Sequence, residues 1–148
     1  MSDPNTVFLH VEVVHPRPYE AAAFMEELFS ATRVEVNISS YVERILPGTE
    51  CVHVDLGGVT LQFIKPTSAL PTWQEELERR GPHVHNISLQ ARDIEALRER
   101  LIQYGGQQTY QTEINARSAN SDRMSRGSAY LIDAPAQVGL PADNRAIQ

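Results

Sequence analysis

His10, Gln62, Asn86 and Asp143 are the side chains whose types and placement first point to chemistry. Each offers a nitrogen or oxygen donor, and each falls on a different segment that reads as a strand. Four such groups converging on one concavity would hold a divalent ion. Imidazole with oxygen donors suits Mn, Fe, Co, Ni or Zn better than Ca or Mg. Taken singly, each also has a plain structural use, because strand histidines and amides are commonly satisfied by a neighbour; no dense ligand motif joins the four. Glu12, Glu43 and Asp55 are carboxylates on nearby strand segments, and the residues alone do not choose among them. His53 alternates with Cys51 and Asp55, so it either lines the concavity or faces solvent. His15 reads as structural and His83 as surface. Arg117, Arg123 and Arg126 lie in a polar stretch that is either a lid over an anionic ligand or an ordinary solvated loop. Trp73 either stacks on a flat ligand or anchors a core.

The elements that must position these residues follow from periodicity. Residues 7–14, VFLHVEVV, read as a buried strand. Pro18 then opens a helix to about Ser30, with Ala21, Phe24, Met25, Leu28 and Phe29 as its apolar stripe. Short strands are expected over 34–38, 41–46, 51–56 and 59–64, with Gly57-Gly58 as a hairpin turn. A linking helix follows, with a capping box at Thr72 and Glu75 and a stop at Gly81-Pro82. The opening pattern then returns: a strand over 84–91, a helix from Ile94 to Tyr104 capped by Asp93, and strands over 107–114 and 128–132. The segment 115–127 between those strands reads as a polar loop. The last strand is weakened by Pro141.

The order β-α-several β, linker, β-α-several β predicts an α+β fold of two tandem βαβββ modules forming a cupped mixed sheet with helices on the outside. The chain reads as a single domain over 1–148, with module one at about 5–66, the linker helix at about 67–82 and module two at about 83–148. If the halves are equivalent, His10 corresponds to Asn86 and Gln62 to Asp143.

Composition narrows the partners. The formal net charge of −6 argues against nucleic acid or an anionic membrane as a general partner. One cysteine, Cys51, permits neither an intrachain disulfide nor a thiolate metal cluster. The opening MSDPNTVFLH lacks the basic-then-apolar pattern of a signal peptide, and no apolar run is long enough to span a membrane, so a cytoplasmic address is expected.

The stretches LHVEVVHPRPYEAAAFMEELF, VDLGGVTLQFIKP, PTWQEELERRGPHVHNISLQARDIEALRERL and AYLIDAPAQVGLPAD, in this order and spacing, resemble the vicinal-oxygen-chelate superfamily of glyoxalase I, bleomycin-resistance proteins and ring-cleaving dioxygenases. Within it, the sequence looks most like methylmalonyl-CoA epimerase-like proteins. The resemblance implies metal ligands at His10 and Gln62 and an acid/base carboxylate at Glu43. The other two ligand positions fall on Asn86 and Asp143, where the family has histidine and glutamate. By strand alternation His85 faces away from the concavity, unless a bulge turns it inward. The activity so implied is that of an isomerase or lyase doing proton transfer next to a carbonyl on a small acid, thioester or ketone. Glu43 would be the base and Asp143 a partner acid or ligand. A divalent Co, Mn, Ni, Fe or Zn ion would assist, with no nucleotide cofactor, and two copies would pair as a homodimer. The alternative implied by the same resemblance is a metal-free protein that sequesters a bulky compound, or a metal-independent enzyme of the same fold.

Overall fold

Apolar and β-branched residues over Thr6–Val14 favour a pleated, half-buried backbone, and they form the first strand, β1. Pro18 opens helix α1, Pro18–Phe29, where its missing N–H costs nothing. The chain continues through β2 (Thr32–Val34), β3 (Glu50–Leu56), β4 (Val59–Lys65), α2 (Pro71–Arg80), β5 (His83–Ala91), α3 (Ile94–Gln103), β6 (Gln107–Arg117), β7 (Met124–Asp133) and β8 (Ala146–Ile147). This computed structural model describes residues 6–34, 48–117, 124–133 and 146–147. Of the strand expected over 34–38 only Val34 is described, as the end of β2, and the strand expected over 41–46 lies outside the described residues. No described helix is long and apolar enough to cross a membrane.

One eight-stranded mixed sheet has the order β2-β3-β4-β1-β5-β8-β7-β6. The order is palindromic: β1 answers β5, β4 answers β8, β3 answers β7 and β2 answers β6. β4 runs parallel to β1, β8 runs parallel to β5, and β1 meets β5 antiparallel at the centre. The expected α+β class, with two repeated units edge to edge, is therefore what the chain adopts.

The central pair carries the symmetry to single residues. His10 lies opposite Ser88, Val11 opposite Ile87 and Glu12 opposite Asn86. The register slips once on each side of this segment. On β1 the extra residue in the register is Leu9, and on β5 it is His85. Each bulge thus precedes one member of the expected His10–Asn86 pair, and exchanging the halves maps His10:Ser88 onto Asn86:Glu12.

Helices cover the sheet unequally. Ala21 and Ala22 of α1 pack with Ala31, Val52, Val54 and Phe63, supported by Val13, Met25 and Leu61. The expected stripe on α1 is only partly right. Phe24, Leu28 and Phe29 are 60%, 64% and 57% exposed. The buried face follows Pro18, Ala21, Ala22 and the half-buried Met25, and the small alanines let the helix backbone approach the sheet where larger side chains would hold it off. Helix α3 packs Ile94, Leu97 and Leu101 around Tyr130, Ile132 and Leu89. Its expected cap is present, with Asp93 accepting from the Ala96 N–H at 3.0 Å.

The linking helix departs from expectation in two ways. It begins at Pro71 with Leu70 as N-cap and no side-chain cap, so Thr72 sits inside the first turn and forms no capping box. It also lies over the sheet's other face. Leu70 and Trp73 pack on Val14, Cys51 and Ile64, which share the face of Glu12 and Gln62, with Leu77 and Leu131 beside them.

Within the 115–127 segment, residues 115–117 and 124–127 are strand, not loop. β6 and β7 form a long antiparallel ladder that pairs Asn115 with Arg126 and Arg117 with Met124. A ladder satisfies the backbone whatever the side chains, which is why a polar composition does not reveal it. Arg123 lies outside the described residues.

Gly106 closes the turn from α3 into β6, and a Cβ there would lie 2.7 Å from the Leu101 carbonyl oxygen and 3.1 Å from that of Asp133. Both neighbours are backbone and cannot swing aside. Gly106→Ala is expected to destabilise by about 1–3 kcal/mol, the usual cost of overpacking. A urea midpoint equal to the parent's would contradict this close approach.

Candidate functional site

Strand alternation sorts the polar residues onto one face. Glu12 of β1 stands beside Gln62 of β4 and opposite Asn86 of β5, while Gln62 faces His53 of β3. His10, two residues before Glu12, shares its side, and Ser88 is its partner across the strand pair. His10, Glu12, His53, Thr60, Gln62, Asn86 and Ser88 are all buried. Seven polar side chains buried together on a sheet face are costly unless they bond to one another or to a ligand.

Several do bond to one another. Gln62 Nε2 lies 2.9 Å from His53 Nε2. An amide nitrogen only donates, so His53 accepts at Nε2 and carries its proton on Nδ1. Burial drives the His53 pKa well down, with a smaller push from His10. The His10 ring meets the His53 ring edge-on at 5.5 Å, and burial lowers the His10 pKa to about 4. Both imidazoles are thus neutral at neutral pH, and the His53 lone pair is taken up by Gln62. Burial pushes Glu12 the other way, to about 7, against a smaller lowering by its hydrogen bond from Asn86. Asn86 Oδ1 and Ser88 Oγ are buried with no hydrogen-bond partner among the described residues.

Of the expected site residues, His10, Gln62 and Asn86 share this face, while Glu43 and Asp143 lie outside the described residues. The register adds one finding. Gln62 flanks Glu12 as Ala146 flanks Ser88, so Ala146 holds the place corresponding to Gln62, which spacing alone assigns to Asp143. The sequence leaves Glu12 undistinguished among three carboxylates and leaves His53 undecided. The period-2 step from His10 to Glu12 is the signal that puts both on one face. His10, Gln62 and the unpartnered Asn86 oxygen are neutral donors of the kind a divalent transition ion takes, and this set fits such an ion.

A second cluster adjoins the first. The bulge at His85 overturns the expectation that this ring turns away from the Asn86 side: His85 Nδ1 is 3.2 Å from Asn86 Nδ2. Its Nε2 lies 3.2 Å from Glu76 Oε2, and its ring packs 4.4 Å from that of Trp73. His83, expected at the surface, is mostly covered and brings its Nε2 to 3.9 Å from the same carboxylate oxygen. The ligand atoms of Glu76, His83 and His85 all lie within 4.8 Å of one another, the one such trio of histidine, cysteine or carboxylate groups among the described residues. The sequence signal for Glu76 is its three-residue spacing from Trp73, which puts both on the buried side of α2.

No family model matches the chain, and no curated protein matches it by sequence. Solved structures do. Methylmalonyl-CoA epimerase from Mycobacterium tuberculosis is 19% identical over 95% of this chain and 85% of its own, with a TM-score of 0.63. A variant of the Streptomyces coelicolor methylmalonyl-CoA epimerase, in complex with 2-nitronate-propionyl-CoA, is 14% identical over 95% and 92%, with a TM-score of 0.62. A variant of 4-hydroxymandelate synthase from Streptomyces coelicolor is 16% identical over 97% of this chain and 42% of its own, with a TM-score of 0.61. The resemblance read from the sequence holds at the level of architecture, and the chain has the vicinal-oxygen-chelate fold.

Proposed function

We propose that this protein is an epimerase-like isomerase or lyase that moves a proton next to a carbonyl. The observation that carries the reading is Glu12, a carboxylate buried beside Gln62 and Asn86 on the face that also holds His10. Such chemistry needs a carboxylate in a partly dry site and hydrogen-bond donors for the oxyanion that develops as the C–H proton leaves. Glu12 supplies the first, and the Gln62 amide, whose second N–H is not spent on His53, supplies the second. Inverting a centre needs a further acid/base group on the opposite side of the substrate. Glu43, which the resemblance implies, takes that role in this proposal, and Asp143 the supporting one. A divalent ion held by His10, Gln62 and Asn86 would add Lewis-acid stabilisation of the enolate. The likeness to epimerases named for methylmalonyl-CoA supports a branched acyl thioester as substrate class, and the pairing of two copies belongs to the same proposal.

The test is isotope wash-in. Tag-free protein is incubated in D2O with methylmalonyl-CoA, a small branched acid and a ketone, and loss of the acidic C–H signal is followed by NMR. Exchange of the thioester is expected, slowed about 100-fold or more by Glu43→Gln. A Glu43→Gln variant as fast as the parent would remove Glu43 from the mechanism. No exchange with any of the three, together with tight retention of a bulky aromatic compound, would replace the enzyme with a sequestering protein.

A further inference from the structure

We propose that Glu76, His83 and His85 form a metal centre of their own, taking one zinc-type divalent ion, beside the polar face and separate from His10 and Gln62. Two imidazoles and one carboxylate are a donor set that zinc uses, at about 2.0–2.2 Å from each ligand. Tetrahedral bonds of that length put neighbouring donor atoms a little over 3 Å apart. The His85–Glu76 and His83–Glu76 distances of 3.2 and 3.9 Å bracket this, so small side-chain movements close the set.

The surroundings prepare each ligand. His83 Nδ1 lies 2.7 Å from the Gly81 carbonyl, which can only accept, so Nδ1 carries the proton and Nε2 presents a lone pair. That Nε2 is buried and without a hydrogen-bond partner among the described residues. An ion pair between Glu76 and His85 alone leaves this nitrogen unexplained, whereas a cation at the centre of the trio satisfies it. Arg79 approaches the other Glu76 oxygen at 3.7 Å, leaving Oε2 to face the histidines. Trp73 closes one side of His85. His83 and His85, two residues apart, reach Glu76 from one side of β5 by strand alternation, and the bulge before Asn86 brings that residue to the same side.

His85 couples the two sites. Its Nδ1 now accepts from Asn86, so Nε2 carries the proton, 3.2 Å from Glu76 Oε2. Coordination through Nε2 moves that proton to Nδ1, and Asn86 meets it by turning its amide so that the unpartnered Oδ1 accepts. Filling the trio therefore draws the Asn86 oxygen away from the polar face.

The experiment uses the tag-free full chain and zinc alone, titrated against a chromophoric chelator, with Co2+ as spectroscopic probe. One tightly held zinc is expected, and Co2+ should give the visible bands of a low-coordinate site. His83→Ala and the near-isosteric Glu76→Gln should each weaken binding at least 10-fold, and His10→Ala should leave it within about 2-fold. Far-UV circular dichroism checks that each variant folds. Zinc that is lost in His10→Ala yet kept in His83→Ala and Glu76→Gln would overturn the proposal, as would a parent protein that retains none. Because the readout is metal affinity, its failure is separate from a failure of the isotope wash-in.

Discussion

Replacing Glu12 with glutamine is expected to slow wash-in at the substrate's acidic C–H by about 10²–10⁴-fold and, in the same molecule, to raise stability above pH 7. The two effects have one cause. Burial holds the Glu12 carboxyl near 7 instead of 4.5. A raised carboxyl favours folding fully below pH 4.5, where both states are protonated, and that contribution is lost as pH rises through 7. Above 7 the native state must hold a buried charge, at a cost of about 3 kcal/mol for a shift of this size. Glutamine keeps the shape and avoids the charge, so the melting temperatures of variant and parent should diverge between pH 5 and 8, the variant being higher at the alkaline end.

His10 and His53 act in the opposite direction. Their pKa values are depressed, so their contribution is present above 6.5 and is lost as pH falls, through about 4 for His10. Both remain in the variant, so its acid limb should match the parent's. Melting is measured with a chelator present, so that metal occupancy does not enter the comparison. Parallel pH profiles would refute a Glu12 held protonated by burial. Undiminished exchange would remove it from the chemistry.

Trp73→Ala is expected to cost about 3–5 kcal/mol, the range for emptying a buried indole site. The ring sits among Val14, Cys51, Ile64 and Leu70 and against His85, so its removal leaves a cavity that backbone on two elements cannot close. A domain holds only about 5–15 kcal/mol in total, which makes this a large fraction. The urea midpoint should fall with the slope unchanged. A loss below about 1 kcal/mol would mean that α2 is not seated through this residue, and the Glu76 side of the trio would lose its support.

These residues also show how far the sequence is legible. The repeat can be read because β1 and β5 each announce themselves by apolar runs followed by a helix, and Asp93 caps its helix as local chemistry dictates. His10, Gln62 and Asn86 can be named because equivalent halves place comparable groups at comparable positions. The α1 stripe misleads because the count of apolar residues favours Phe24 and Leu28, while distance to the sheet favours Ala21 and Ala22. The hairpin of β6 and β7 escapes notice because ladder bonds belong to the backbone and leave little mark on composition.

By itself, then, the sequence determined the order of elements, the twofold repeat and the identity of the donors on β1, β4 and β5 of the polar face. Those come from periodicity, which is a property of one segment at a time. The tertiary structure alone decided that His85 stands on the Asn86 side, that Glu76 meets it and His83, and that Ala146 takes the place corresponding to Gln62. Each depends on register between two strands or on where a helix settles across a sheet. A bulge is a mismatch between partners, and neither partner's sequence contains it.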